Sequence, residues 1–186
     1  MIADDTIRAA LAGPEPTWRS RPALRDAAVL VPWLTRAGED RLLYTVRQAK
    51  LPLHAGEISF PGGARESDED AVACALRETR EEIGLDPGRV RLLGRLPDHD
   101  SVTGYCVHPF VGRIPPDGEL VADPVEVAEI LEIPVALLAQ AERWEFREWG
   151  PPGRQHLVGF FEFEARVLWG LTARITLDLL ARLGLR

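Results

Sequence analysis

The segment from Gly63 to Leu85 constrains the fold of this chain more than any other, because it is a well-signalled helix with an awkward charge pattern. Val72, Leu76, Thr79 and Ile83 recur at i, i+4, i+7 and i+11, which predicts an amphipathic helix with that stripe facing a core. Ser67 or Asp68 is placed to cap its start, and Asp68, Glu69 and Asp70 suit the positive end of the helix dipole. Gly84 suits the left-handed residue that closes a helix, and Pro87 forbids resumption soon after. On the helical wheel Glu78, Glu81 and Glu82 fall together, roughly opposite the stripe and close to the C-terminal end. An acid there costs about 0.3–1 kcal/mol against the dipole. The like-charged pairs 78/81 and 78/82 cost about 0.2–0.5 kcal/mol each. Arg77 relieves part of this by pairing with Glu81 at i+4. A solvated, salt-bridged surface helix tolerates such a pattern; a bound divalent cation gives it a purpose.

The flanks favour the cation. Gly63 is followed after five residues by Glu69, and after seven more by Arg77-Glu78-Thr79-x-Glu81-Glu82-x-Gly84-Leu85. This spacing resembles the signature box of the Nudix hydrolases, with Thr79 standing where an aliphatic residue is usual. The resemblance implies an α/β fold, a Nudix-type α/β/α sandwich with a mixed β-sheet. It implies Mg²⁺ or Mn²⁺ held by Glu78, Glu81 and Glu82, and hydrolysis of a nucleoside diphosphate linked to another group. It gives Arg77 the role of orienting a glutamate by ion pairing, and Glu69 that of supporting the loop or the metal water. The chemistry suits these residue types: magnesium prefers oxygen ligands, binds through a few carboxylates plus substrate phosphates, and activates water. Gly62 and Gly63 allow the backbone to approach the phosphates closely.

Three further segments resemble the coenzyme A pyrophosphatase branch of that family. Upstream lie Leu43-x-Thr45-x-Arg47 and His54-Ala55-Gly56-x-x-x-Phe60-Pro61-Gly62-Gly63; downstream lie Leu96 to Tyr105, with Pro109 and Val111-Gly112 following, and Trp169 to Ala173. Tyr44, Gln48 and Pro52 depart from the branch pattern at positions where leucine, a small residue and an arginine are usual. The resemblance implies cleavage of coenzyme A or a derivative into 3′,5′-ADP and 4′-phosphopantetheine. ADP-ribose, a dinucleotide or a nucleoside triphosphate is the alternative substrate, and a non-catalytic binding module the alternative class. Arg47 is expected to contact phosphate, since its forked donors match phosphate oxygens. His54, Phe60, Gly62 and Gly63 complete the expected substrate set, although loop-structural and core roles for His54 and Phe60 stay open. Lys50 and Arg65 are weaker phosphate candidates, and Trp144 and Trp169 read as packing residues. The general base is expected downstream, at Glu126, with Asp123, Glu129 and Glu69 as alternatives.

The rest of the chain reads as one domain over 25–186 preceded by an N-terminal arm, residues 1–24, with a short helix near 4–11. Strands are expected at Ala27–Leu34 and Arg41–Arg47, paired across Ala37-Gly38-Glu39-Asp40, and at Val90–Leu96, Tyr105–Ile114 and Val125–Ile133. Lys50 to Pro61 reads as loop. Pro134–Gln140 reads as a helix, Arg143–Glu148 and His156–Phe163 as a hairpin, and Trp169–Leu183 as a closing amphipathic helix. The formal net charge of −7 argues against general nucleic-acid binding, so an anionic substrate must be drawn in by metals and local arginines. No apolar run reaches transmembrane length and the N-terminus carries no signal-peptide pattern. With only Cys74 and Cys106, unpaired in any motif, a reducing cytoplasm is expected. The partner is a small-molecule substrate; monomer and homodimer are both open.

Overall fold

In the computed structural model, described over residues 1–12, 23–50, 55–66, 68–117, 119–150, 153 and 155–186, a long apolar strand organises the rest. Helix α1 (Asp4–Ala10) leads to β1 (Arg25–Arg36), whose run Ala27 to Leu34 is apolar on both alternations, as a strand covered on both faces requires. It turns back through Ala37 (φ 51°) and Gly38 (φ 80°) into β2 (Glu39–Arg47), the paired positive φ values of a tight hairpin. Then come β3 (Ile58–Ser59), β4 (Gly62–Ala64), α2 (Ala71–Ile83), β5 (Arg91–Arg95), β6 (His99–Asp100), β7 (Tyr105–Arg113) and β8 (Val127–Pro134). The chain ends with α3 (Val135–Leu138), β9 (Trp144–Trp149), β10 (His156–Phe163), β11 (Arg166–Trp169) and α4 (Gly170–Arg182).

The main sheet runs β3-β2-β1-β7-β5, with β8 also on β2, β4 on β1 and β6 on β7. β1 and β7 are parallel and the other pairs antiparallel, so the sheet is mixed. Its two faces carry separate cores. On one, Ala28, Leu30, Leu34, Leu43 and Phe110 pack with Ala71, Cys74, Ala75 and Ile83 of α2. On the other, Val31, Trp33, Leu42, Tyr44 and Val111 pack with Ile7 of α1 and Leu11 just after it, and with α4 through Ala173, Ile175, Leu179 and Leu180. Helix, sheet, helix is therefore the layer order. A second, antiparallel sheet β11-β10-β9 joins this latter core through Trp144, Phe161 and Leu168, and Trp144 Nε1 donates to the Leu138 carbonyl at 2.8 Å.

Several local expectations are corrected. The buried residues of α2 are Ala71, Cys74, Ala75, Thr79, Glu82 and Ile83, so the helix is rotated from the expected stripe and Val72 and Leu76 sit at its margin. Small Ala and Cys side chains allow close approach to the sheet, and Glu82 turns inward with them. Thr79 satisfies its buried hydroxyl on the Ala75 carbonyl at 2.6 Å. The N-cap is Asp70, whose carboxylate accepts from Ala73 N–H at 2.7 Å; Asp68, at φ 70°, has left-handed backbone unsuited to that position. Ser67 lies outside the described residues, as do 51–54 of the expected 50–61 loop, which otherwise contains β3. The closing helix starts at Gly170 because Trp169 still belongs to β11.

Candidate active site

Arg77 gathers the acidic residues around the start and end of α2. Its Nε and Nη2 donate to the two carboxylate oxygens of Glu69 at 3.0 and 2.9 Å, a bidentate pair. Nη1 donates to Glu78 at 2.9 Å and to Glu81 at 3.0 Å, and Nη2 also reaches the Ala64 carbonyl at 3.2 Å. The Arg77 hydrogen bonds, together with one from Glu66 N–H at 2.8 Å, hold the Glu69 carboxyl well below its usual range, at about 2. One planar guanidinium thus ties the loop before α2 to the acids on α2.

The second centre is Glu82, which is 3% exposed. Gly62 N–H donates to its Oε2 at 3.3 Å and Arg47 Nη1 lies 3.9 Å from Oε1. Those contacts do not compensate: burial pushes its carboxyl up to about 8, and the negative charges of Glu78 and Glu126 push the same way. Burial likewise raises Glu78, against the pull of Arg77 and with the push of Glu81 and Glu126. Glu126 therefore stands within electrostatic reach of both, on the exposed loop before β8. That loop closes the end of α2: Val121 N–H donates to the Ile83 carbonyl at 3.0 Å and Asp123 N–H to the Glu82 carbonyl at 2.9 Å, satisfying two otherwise orphaned groups.

The two glycines are required by the protein before any ligand is considered. β4 pairs with β1 at Val29, Ala28 and Ala27, and a Cβ on Gly62 would lie 2.3 Å from the Ala28 carbonyl oxygen. A Cβ on Gly63 would lie 2.4 Å from the carboxyl carbon of Glu78. Gly62 thus permits the strand pairing that delivers its own N–H to Glu82, and Gly63 makes room for the Glu78 carboxylate.

Other expected site residues separate into those near this cluster and those elsewhere. Arg47 is near, half-buried, and its buried Nε has no hydrogen-bond partner among the described residues. Phe60 is 3% exposed and stacks on Tyr44 at 4.6 Å between centroids, which places it in the core. His54 lies outside the described residues. Glu129 is ion-paired with Arg166, and Asp123 is occupied in accepting from Val125 N–H at 2.7 Å. Glu81 remains 59% exposed at its side chain. Lys50 is exposed, and Arg65 donates to the Glu69 carbonyl at 3.2 Å. Gln48 was legible only as a departure from a motif, yet its amide reaches the loop of Glu126.

Among the described residues no three His, Cys, Asp or Glu side chains converge closely enough to hold an ion as they stand, because Arg77 spreads Glu78 and Glu81 around its own nitrogen. The donors nonetheless fit a hard dication. They are all carboxylate oxygens, two are withdrawn from solvent, and the buried one lacks the positive charge it needs.

The sequence matches the NUDIX domain family over residues 24–152. Proteins named Nudix hydrolase NudL, a name that specifies no substrate, are similar along nearly the whole length. That of Photorhabdus laumondii is 37% identical, covering 94% of this chain and 93% of its own; that of Escherichia coli K12 is 40% identical, covering 87% and 84%. Among solved structures, a MutT/nudix family protein from Enterococcus faecalis superposes with a TM-score of 0.60 over 90% of this chain and 64% of its own, at 15% identity. The NUDIX domain of Shewanella oneidensis NrtR, crystallised with ADP ribose, gives 0.51 over 62% and 76%, at 16% identity. A Caenorhabditis elegans Ap4A hydrolase gives 0.51 over 60% and 81%, at 20% identity.

Proposed function

The chain belongs to the Nudix family, and from that premise we propose that it is a metal-dependent pyrophosphatase that cleaves the diphosphate of coenzyme A or a derivative. The observation that carries the metal-dependent part is Glu82, a carboxylate sealed from solvent and short of positive charge, beside the half-buried Glu78. The coenzyme A part rests on the sequence segments 43–63, 96–112 and 169–173. Retention of Glu78, Glu81, Glu82 and Arg77 together weighs against a non-catalytic module.

Glu78, Glu81 and Glu82 would hold Mg²⁺ or Mn²⁺. When bound, the cation neutralises phosphate charge, activates water and aligns it with the leaving group. This chain's own groups do the rest. Arg77, locked on Glu69, holds Glu78 and Glu81 side by side on its Nη1, and both would turn from that nitrogen toward Glu82 as a cation enters. Arg47, whose Nε–H is unengaged among the described residues, offers it to a phosphate oxygen. Glu126 accepts the proton of the attacking water. One oxygen–phosphorus bond forms, the bridging phosphorus–oxygen bond breaks, and 3′,5′-ADP and 4′-phosphopantetheine leave as phosphate monoesters.

The test is a panel of coenzyme A, acetyl-coenzyme A, ADP-ribose, a dinucleotide and a nucleoside triphosphate with Mg²⁺, with products identified by mass. Release of 4′-phosphopantetheine from coenzyme A faster than AMP from ADP-ribose supports the reading. The reverse order favours the second reading, the same chemistry on a nucleotide sugar or dinucleotide. The fold shared with the ADP-ribose-bound and Ap4A-hydrolysing proteins keeps that second reading in view. Absence of turnover on every member refutes both.

A further inference from the structure

The loop that carries Glu126 is thinly packed. Val125, 71% exposed, and Glu126 both face solvent, and only Val127 is buried. Side chains therefore do little to hold it, and an exposed segment of this kind opens readily unless its backbone is tied down. Two ties exist. One is to α2, through Asp123 N–H on the Glu82 carbonyl. The other is to the end of β2, and Gln48 makes it for the stretch around Glu126. Gln48 N–H donates to the Glu126 carbonyl at 2.9 Å. Its side-chain Nε2 donates to the Pro124 carbonyl at 3.0 Å and to the Val127 carbonyl at 3.3 Å. The side-chain amide thus uses both of its N–H groups on carbonyls that bracket Glu126 in sequence. β2 and β8 shift register between Val46 and Arg47, where Arg47 pairs with Val127, so Gln48 is carried just past the irregularity to the mouth of the loop.

We infer that Gln48 is a positioning residue: its amide clamps residues 124–127 and holds the Glu126 carboxylate toward Glu78 and Glu82. The inference rests on the reading of Glu126 as the proton acceptor. A serine or alanine at this position would reach neither carbonyl. The clamp also makes the phosphate-facing Arg47 and the base loop move as one unit, because their anchor residues are adjacent in the chain. A displacement of about 1 Å of a catalytic group costs on the order of a hundredfold in rate.

The test compares Gln48→Met, which keeps length and removes both side-chain donors, with Glu126→Gln and the double variant, on whichever panel substrate the wild type cleaves. Gln48→Met is expected to lower kcat about ten- to a hundredfold with KM within twofold, and to cost nothing further in the Glu126→Gln background. In metal-free protein, hydrogen exchange at the amides of 125–127 is expected to rise about tenfold while those of α2 stay unchanged. Wild-type kcat in Gln48→Met beside a slow Glu126→Gln overturns the inference alone. Independent, multiplicative losses in the double variant do the same, as does unaltered exchange at 125–127. Wild-type kcat in Glu126→Gln overturns the assignment of the base and the inference with it.

Discussion

Replacing Glu82 by glutamine probes the buried carboxylate directly. The folded protein without metal holds a proton on Glu82 up to about pH 8, whereas the unfolded chain releases it near the ordinary value of 4.5. Between those values the native state binds more protons than the unfolded state, so wild-type stability falls as pH rises, by about 1.4 kcal/mol per pH unit. Glutamine has no such dependence. Relative to wild type the variant therefore gains about 1 kcal/mol by pH 5, about 3 by pH 7 and about 5 above pH 8. A pH-independent offset works against it, since the new amide brings N–H donors into a buried site, at about 1–3 kcal/mol if unsatisfied. The signature is accordingly the slope. Denaturant titrations in EDTA at intervals from pH 5 to 8 measure it. Mg²⁺ works the other way: a ligand at a hundred times its dissociation constant stabilises wild type by about 2.7 kcal/mol, enough to offset most of the variant's gain at pH 7. The variant, short of one ligand, gains far less and loses turnover. A stability difference that stays flat across that pH range, or equal stabilisation of both proteins by Mg²⁺, would refute the reasoning.

Other substitutions separate the parts of the site. Gly63→Ala places a methyl against the Glu78 carboxylate, which can swing away, so turnover and Mg²⁺ affinity measured by calorimetry are expected to fall at least tenfold with little loss of thermal stability. Gly62→Ala instead drives a methyl into the β1 backbone and is expected to lower Tm and soluble yield, by an amount typical of strained backbone, about 1–3 kcal/mol or more. Arg77→Lys cannot hold Glu69 bidentately while reaching Glu78 and Glu81; kcat is expected to fall about ten- to a hundredfold, as for residues that orient metal-binding carboxylates generally. Phe60→Leu is expected to cost about 1–3 kcal/mol in chemical denaturation, with kcat/KM within twofold; a selective rise in KM would show that the ring does meet substrate.

Much of the local architecture was legible because it is written in local signals. The 3.6-residue period and Gly84 placed α2, the apolar run Ala27 to Leu34 placed the central strand, and the turn at Ala37-Gly38 placed its partner. The spacing of Arg77, Glu78, Glu81 and Glu82 on one helix made their proximity a matter of helical geometry alone, while Glu69 joined them only through the resemblance. β3, β4 and β6 escaped notice because two or three residues carry no alternation to read.

What tertiary structure decided is everything that depends on which way α2 faces and on partners distant in the chain. Packing of Ala71, Cys74 and Ala75 against the sheet rolled Glu82 inward, away from the solvent face that the wheel implied. The Gly62 strand brought an N–H to it from twenty residues away. Stacking on Tyr44 turned Phe60 into core, and Arg166 engaged Glu129, leaving Glu126 within electrostatic reach of the acids. Gln48 meets its loop across 76 residues. Sequence spacing determines neighbours only within one helix or hairpin, where backbone geometry repeats. Whether a carboxylate is hydrated or sealed depends on the surfaces that close over it, and those surfaces exist only once the sheet and its covering helices have assembled.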